Sequence, residues 1–328
     1  METLFAKRVS KKKGAKMIDI LALCQRIGLM FALMLVGYAM RKLRFGGDKL
    51  PAELSNLILY FAQPALIIST YIRDFDRSVL TGAVWVFVIS LIYHGAIFAL
   101  SFCFFKKISE AQRKVYRYGL LFSNASFLGI PLVQAVAGDV AVIYVCVFVI
   151  AFNIYAWSVG CYIYTGDKKY MSVKKMFINP ATVPTYIGFI FFFTPLDKYV
   201  PTFATELLTY LSDLVVPLSM IIVGLRFADL EMKSAFKDKA LPLALVLRLV
   251  AAPFVAFCIL KIIMIFGASL SNDVALTIMI CSSTPVAVYT SMMAEKFGGD
   301  AVTAGKYVAV STLFSLLTIP IVSLLLLI

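Results

Sequence analysis

Apolar runs recur about every 30 residues along this chain, and a helix needs about 20 apolar residues to cross a bilayer. Ten such runs are read, with approximate limits 18–40, 52–72, 79–105, 115–137, 140–165, 178–195, 203–225, 240–266, 273–295 and 302–327. Composition agrees with a membrane solvent. The chain is 61% hydrophobic, where soluble proteins are roughly 45–50% apolar. Phe (27) and Tyr (16) far outnumber Trp (2), which suits a membrane interior with few interfacial Trp anchors. The expected fold class is an all-α polytopic membrane protein with ten transmembrane helices.

The most polar connection, 166–177, separates spans one to five from spans six to ten. The expected organisation is a basic extension (1–16), a first five-helix repeat (17–165), a short cytoplasmic linker (166–177) and a second repeat (178–328). Five is odd, so two related halves insert in opposite orientations. Prolines mark the relation. Pro64 and Pro131 in the first half match Pro217 and Pro285 in the second at nearly constant separation. Asp48 to Pro51 before span two parallels Asp197 to Pro201 before span seven. Gly138-Asp139 after span four parallels Gly299-Asp300 after span nine. Proline removes a helix hydrogen bond and clashes with the preceding turn. In hydrocarbon the break survives only where protein or a water-filled cavity covers it. Broken helices at matching places in two inverted halves point to a transporter binding site.

The net charge of +13 is topological information rather than a nucleic-acid signal. Nineteen basic residues fall in the connections of one side: Arg41–Lys49, Lys106–Arg117, Lys168–Lys175, Arg226–Lys239, Lys296 and Lys306. The other side has Arg73, Arg77 and Lys198, plus six in the N-terminal tail. The positive-inside rule places the nineteen in the cytoplasm and both termini outside, in the inner membrane. The basic tail runs against this count, less so if translation starts at Met17. That tail also lacks a small-residue cleavage site, so it does not read as a cleaved signal peptide. The six cysteines lie within apolar runs without metal-ligand or disulfide spacing.

Span four contains Asn124, Ser126, Gly129, Ile130 and Pro131. Gly129 with Pro131 predicts a helix break, and Asn124 and Ser126 lie within two turns of it. Asn offers both donor and acceptor; it serves either as interhelical glue or as a ligand contact. Span nine runs Ser282-Ser283-Thr284-Pro285. Such hydroxyls can bond their own helix, yet three in a row cannot all face one way. Half-helix N-termini meeting there aim positive dipole ends at an anion.

Asn124 through Val133 resembles the N-x-x-x-x-G-I-P-L motif of the auxin efflux carrier family, which includes bacterial carriers and plant PIN-type exporters. Leu54-Ser55-Asn56 through Phe61 with Pro64-Ala65-Leu66 is similar to that family's second span. Val216-Pro217-Leu218 through Gly224 resembles its seventh. Thr284–Ala287, Ala294–Phe297 and Ser311–Ser315 through Pro320 resemble its last two spans. The resemblance covers residues 17–328. It implies a five-plus-five inverted fold whose fourth and ninth spans cross as broken helices at a central site. It also implies movement of small organic carboxylates without a metal cofactor. The plant members' long cytoplasmic loop is missing, and nothing assigns auxin itself.

Ionisable residues within the spans are functional hypotheses by default. His94, the only histidine, sits in span three, and the repeat offset carries it to Arg248 in span eight. Histidine either relays a proton or sits neutral, bonded to a neighbouring helix. Arg248 must meet an acid, carbonyls, water or substrate. Asp213, one turn before Pro217, either couples protons or pairs with Arg248. Gln63 and Ser212 lie in the same regions; Arg26 is interior or snorkels, and Lys261 snorkels outward.

No zinc-protease, P-loop or dinucleotide motif is present, and no nucleophile has a linked base. The chain therefore reads as a non-enzyme without cofactors or metal. The expected function is secondary active transport of a small mono- or dicarboxylate by alternating access, driven by membrane potential or protons. A ligand sensor of the same fold and a sodium-coupled organic-anion symporter are the alternatives. The expected partners are the anion and the lipid bilayer, with no nucleic acid; a homodimer is left open.

Overall fold

The computed structural model describes residues 20–229 and 237–323. The basic tail, Met17 and Lys233 lie outside the described residues, as does the side chain of Arg26. Among the described residues the chain is helical, and its only strand-like pairing is one isolated bridge. The helices are α1 Ile20–Lys42, α2 Leu50–Tyr71, α3 Arg77–Ser101, α4 Glu110–Leu121, α5 Ala125–Ala137 and α6 Asp139–Thr165. After a short turn of helix, Val173–Phe177, follow α7 Val183–Phe193, α8 Thr202–Ala228, α9 Leu241–Ile265, α10 Asn272–Ser283, α11 Tyr289–Phe297 and α12 Ala301–Ser323. Among the described residues every apolar run of the sequence carries helix. Five of them (α2, α3, α6, α8 and α9) are long and apolar enough to cross a membrane by length and composition.

Local chemistry sets the helix ends. Asp76 accepts from the Ser78 N–H at 2.7 Å to start α3, and Ser109 and Ser271 cap α4 and α10 in the same way. Gly138 (φ +83°) turns the chain from α5 into α6, and Gly298 (φ +74°) ends α11, positions where a side chain would be strained. The sequence parallel between Gly138-Asp139 and Gly299-Asp300 therefore marks two real helix junctions.

The prolines behave differently from simple breaks. Pro64, Pro131 and Pro253 each stand at the second position of an α-helical segment that follows a five-residue π-helical turn: Ile58–Ala62, Ala125–Gly129 and Leu247–Ala251. The extra residue of the wider turn lets the helix absorb a missing N–H and the ring without ending. Pro217 lies three residues into the second part of α8, Val215–Ala228, after a turn at Asp213 and Leu214. Pro253 sits in an apolar run yet has no counterpart in the proline pairing.

α1 packs most closely on α8. A Cβ at Gly37 would run into the Ile221 carbonyl, and one at Gly224 into that of Met34. α8 and α7 also pack on α2, and α3 packs on α6. The ring of Tyr71 on α2 meets Phe189 and Phe192 of α7 edge-on. The largest buried core lies where α4, α5, α6, α9, α10 and α12 meet, with Tyr118, Phe122, Phe148 and Tyr307 fully enclosed.

Candidate functional site

The chain is broken twice inside this core, and the two breaks pair with each other. α4 stops at Leu121 and α5 starts at Ala125; α10 stops at Ser283 and α11 starts at Tyr289. Ser123 and Val286 face each other as an antiparallel bridge. The Asn124 N–H donates to the Pro285 carbonyl at 2.8 Å, and the Ala287 N–H donates to the Phe122 carbonyl at 2.9 Å. Two extended stretches thus cross in opposite directions, each satisfying part of the other's exposed backbone.

This corrects the expected place of the first break. It lies at Phe122–Asn124, before the Gly129-Pro131 pair. Gly129 closes the π turn that begins α5, Ile130 follows it, and Pro131 is buried in the continuous helix beyond. Pro285, in contrast, stands in the second gap itself. The matched prolines 131 and 285 are therefore not equivalent structurally.

Arg248 explains how the broken ends survive burial. Its side chain is fully buried. It donates to the carbonyls of Leu120 (3.0 Å), Ser282 (2.7 Å) and Thr284 (2.9 and 3.2 Å), and to the Tyr93 hydroxyl (3.2 Å). The last carbonyls of a helix have no intrahelical partner. Leu120 ends α4, and Ser282 and Thr284 end α10, so one guanidinium closes both. A cation there also meets two negative dipole ends. The expected pairing with Asp213 does not occur. Asp213 is exposed at the turn within α8, and Ser212 bonds the Thr209 carbonyl of its own helix. Of the pair related by the repeat offset, Arg248 bonds the hydroxyl of Tyr93, the neighbour of His94, and makes no hydrogen bond to His94 itself.

The hydroxyls of span nine take the local role. Ser282 and Ser283 both donate to the Met279 carbonyl, and Thr284 donates to that of Cys281. None of the three hydrogens faces a ligand. The Val286 N–H is closed by the Ser311 hydroxyl at 3.1 Å, and Thr290 and Ser291 N–H groups turn back to Ala287 and Val288. Span four differs. Asn124 and Ser123 are almost wholly buried, yet the Asn124 Nδ2 and the Ser123 Oγ have no partner. The first N–H groups of α5 have no intrahelical acceptor, and no side chain caps them. Ser126 is half-buried on that first turn.

His94 donates through Nδ1 to the Ser90 carbonyl of its own helix at 2.7 Å, rather than to a neighbouring one. Its Nε2 is unpartnered, and its ring lies among Tyr93, Phe148 and Tyr155. Gln63 is buried with its Oε1 unpartnered. Among the described residues the buried polar side chains include no carboxylate. Sequence reasoning missed Ser123, Tyr93 and Ser311. Ser123 carried a signal, since it directly precedes the asparagine already singled out.

The sequence profile of a family described as membrane transport protein matches residues 25–173 and again 168–323. An uncharacterised transporter of Methanocaldococcus jannaschii is 27% identical over 300 residues, covering 89% of this chain and 94% of that protein. An uncharacterised transporter of Methanothermobacter thermautotrophicus is 24% identical over 293 residues, 88% and 93% of the two chains. With two consecutive matches spanning nearly its whole length, this multi-pass membrane protein belongs to the auxin efflux carrier-type membrane transport family.

Proposed function

We propose that the protein is a secondary carrier for a small organic anion, a mono- or dicarboxylate, held at the crossover and moved by alternating access. The observation that carries this is the imbalance of donors there. Arg248 covers the carbonyl ends of α4 and α10, while the N-terminal turn of α5, the Asn124 amide and the Ser123 hydroxyl keep unpartnered donors. A buried cation with no buried carboxylate among the described residues adds positive potential. Such a site favours negative charge. Ser126 and the backbone at Gly129 and Ile130 belong to the same turn.

The twelve helices make ten spans, which act as two inverted five-span halves, with α4–α5 and α10–α11 as the crossing spans. Spans one, two, six and seven form a scaffold, and the remainder moves against it; the close α1–α8 and α2–α7 packing supports that division. The basic loops face the cytoplasm and both termini face outward. Membrane potential acting on the anion is the driving force, since Asp213 is exposed and His94 gives its Nδ1 proton to the Ser90 carbonyl of its own helix. Purified protein in liposomes tests this. Saturable counterflow of a small carboxylate that follows an imposed potential is expected. Binding without flux would make the protein a sensor, and flux that demands sodium or a pH gradient would replace the driving force.

A further inference from the structure

A basic cleft lies away from the crossover, between the first turns of α4 and the end of α6. Glu110, Arg113, Lys114 and Arg117 of α4 face Ile163, Thr165 and Gly166 across a cleft of about 200 Å³. Its charges are unbalanced. Glu110 is held by Lys114 at 2.8 Å, and the nearby Asp167 by Lys169 at 2.9 Å. That leaves Arg113 and Arg117, one turn apart on the same face, without an ion pair among the described residues. Like charges at that spacing repel one another on a helix. Among the described residues neither arginine side chain makes a hydrogen bond to the protein, and the Nε of Arg117 is buried with no partner. Its guanidinium stacks over Phe102 at 4.7 Å, which fixes the plane and leaves the edge donors free.

We infer that this cleft binds a phosphate group, the phosphodiester head group of an anionic membrane lipid. Two guanidinium forks match phosphate oxygens in a way lysines do not. Apolar surface adjoins it: Phe102, just past the end of α3 and under the Arg117 guanidinium, and Tyr162 on α6 are 43% and 40% exposed. A soluble phosphate gains nothing from that surface, whereas a lipid lays its acyl chains along it. Basic pockets between membrane helices at the cytoplasmic face take anionic head groups in this manner. The ligand would tie α4, the helix whose far end Arg248 closes, to the end of α6.

The test reads binding to the full-length protein in detergent, by native mass spectrometry and thermal shift, and needs no transported substrate. Phosphatidylglycerol is expected to bind and raise the unfolding midpoint, and phosphatidylcholine is not. Replacing both arginines (Arg113→Gln with Arg117→Gln) should weaken phosphatidylglycerol binding about 25-fold, roughly fivefold for each arginine. Replacing Lys106 and Lys107 with Gln removes the same charge from the neighbouring exposed loop and should change binding little. Equal losses in the two double variants would reduce the effect to diffuse surface charge and overturn the site. Glu110→Gln, which removes the one carboxylate in the cleft, should tighten binding, an outcome that misfolding cannot produce. Inorganic phosphate that protects as well as the lipid, through the same arginines, would overturn the lipid assignment.

Discussion

The two breaks at the crossover look alike in sequence and differ in what they leave unmet. In the second break, the Ser282, Ser283 and Thr284 hydroxyls bond back to their own helix, and the Ser311 hydroxyl receives the Val286 N–H. In the first, Asn124 Nδ2 and Ser123 Oγ stay unpartnered in a buried place. Buried polar atoms without partners are costly, commonly about 1–3 kcal/mol each. The second break leaves one such atom, the Thr290 Oγ1 on the first turn of α11, whereas the first leaves two at the crossing itself, so the crossover is asymmetric. On the proposed function, the second break is mainly architecture and the first is where a ligand contributes.

Arg248 should give the largest effect, because it serves both breaks. Arg248→Met leaves the Leu120, Ser282 and Thr284 carbonyls without their donor, a loss of ~3 kcal/mol or more at about 1–3 kcal/mol per stranded group. Little folded protein is expected after detergent extraction, and a markedly lower unfolding midpoint in what survives. Arg248→Lys keeps the charge but loses the planar fork, so it should fall between the two. A stable, active Arg248→Met protein would break the account of how the crossover is held.

Asn124→Ala comes next and separates ligand from structure. Its amide has no protein partner to lose, so the unfolding midpoint should stay near wild type. Carboxylate affinity should fall about tenfold, the worth of one good hydrogen bond to a charged group. Ser123→Ala should follow with a smaller loss. Ser283→Ala is the matching test in the other break. Its hydroxyl serves the Met279 carbonyl, so stability should change by ~0.5 kcal/mol or less and affinity not at all. If Ser283→Ala weakened binding as much as Asn124→Ala, the asymmetry between the breaks would be lost.

Helix positions were legible because the apolar runs are long and separated by charged loops. The presence of two breaks was legible too, but their location was only half so. Pro285 lies in its gap. Pro131 does not, because a π turn can carry a proline within a continuous helix, and nothing in Gly129-Ile130-Pro131 distinguishes the two outcomes locally. The pairing that fixes the first gap is the contact of Asn124 with Pro285, more than 150 residues away. Arg248 was legible as a problem, since a buried guanidinium must meet something. Its solution was not, because carbonyl oxygens belong to every residue and leave no mark in sequence. Asp213 misled for the complementary reason. It was the intramembrane carboxylate one turn before Pro217, yet it sits exposed at the turn in α8.

The smallest expected effect concerns Gly129, which the sequence marked as part of a break. A methyl group there would stand 3.5 Å from the Ala125 Cβ, 3.6 Å from the Cys281 Sγ and 3.7 Å from the Thr284 Cγ2, all ordinary contacts. The backbone is already helical, where Ala is favoured over Gly by about 1 kcal/mol. Gly129→Ala should therefore fold at least as well as wild type, unlike Gly224→Ala, whose methyl would collide with the Met34 carbonyl. Transport measured on the same protein decides what the glycine is for. Wild-type flux would leave Gly129 a packing residue beside α10. A folded protein that binds carboxylate but has lost flux would show that α5 moves against α10 during the cycle, into the space that the methyl group fills.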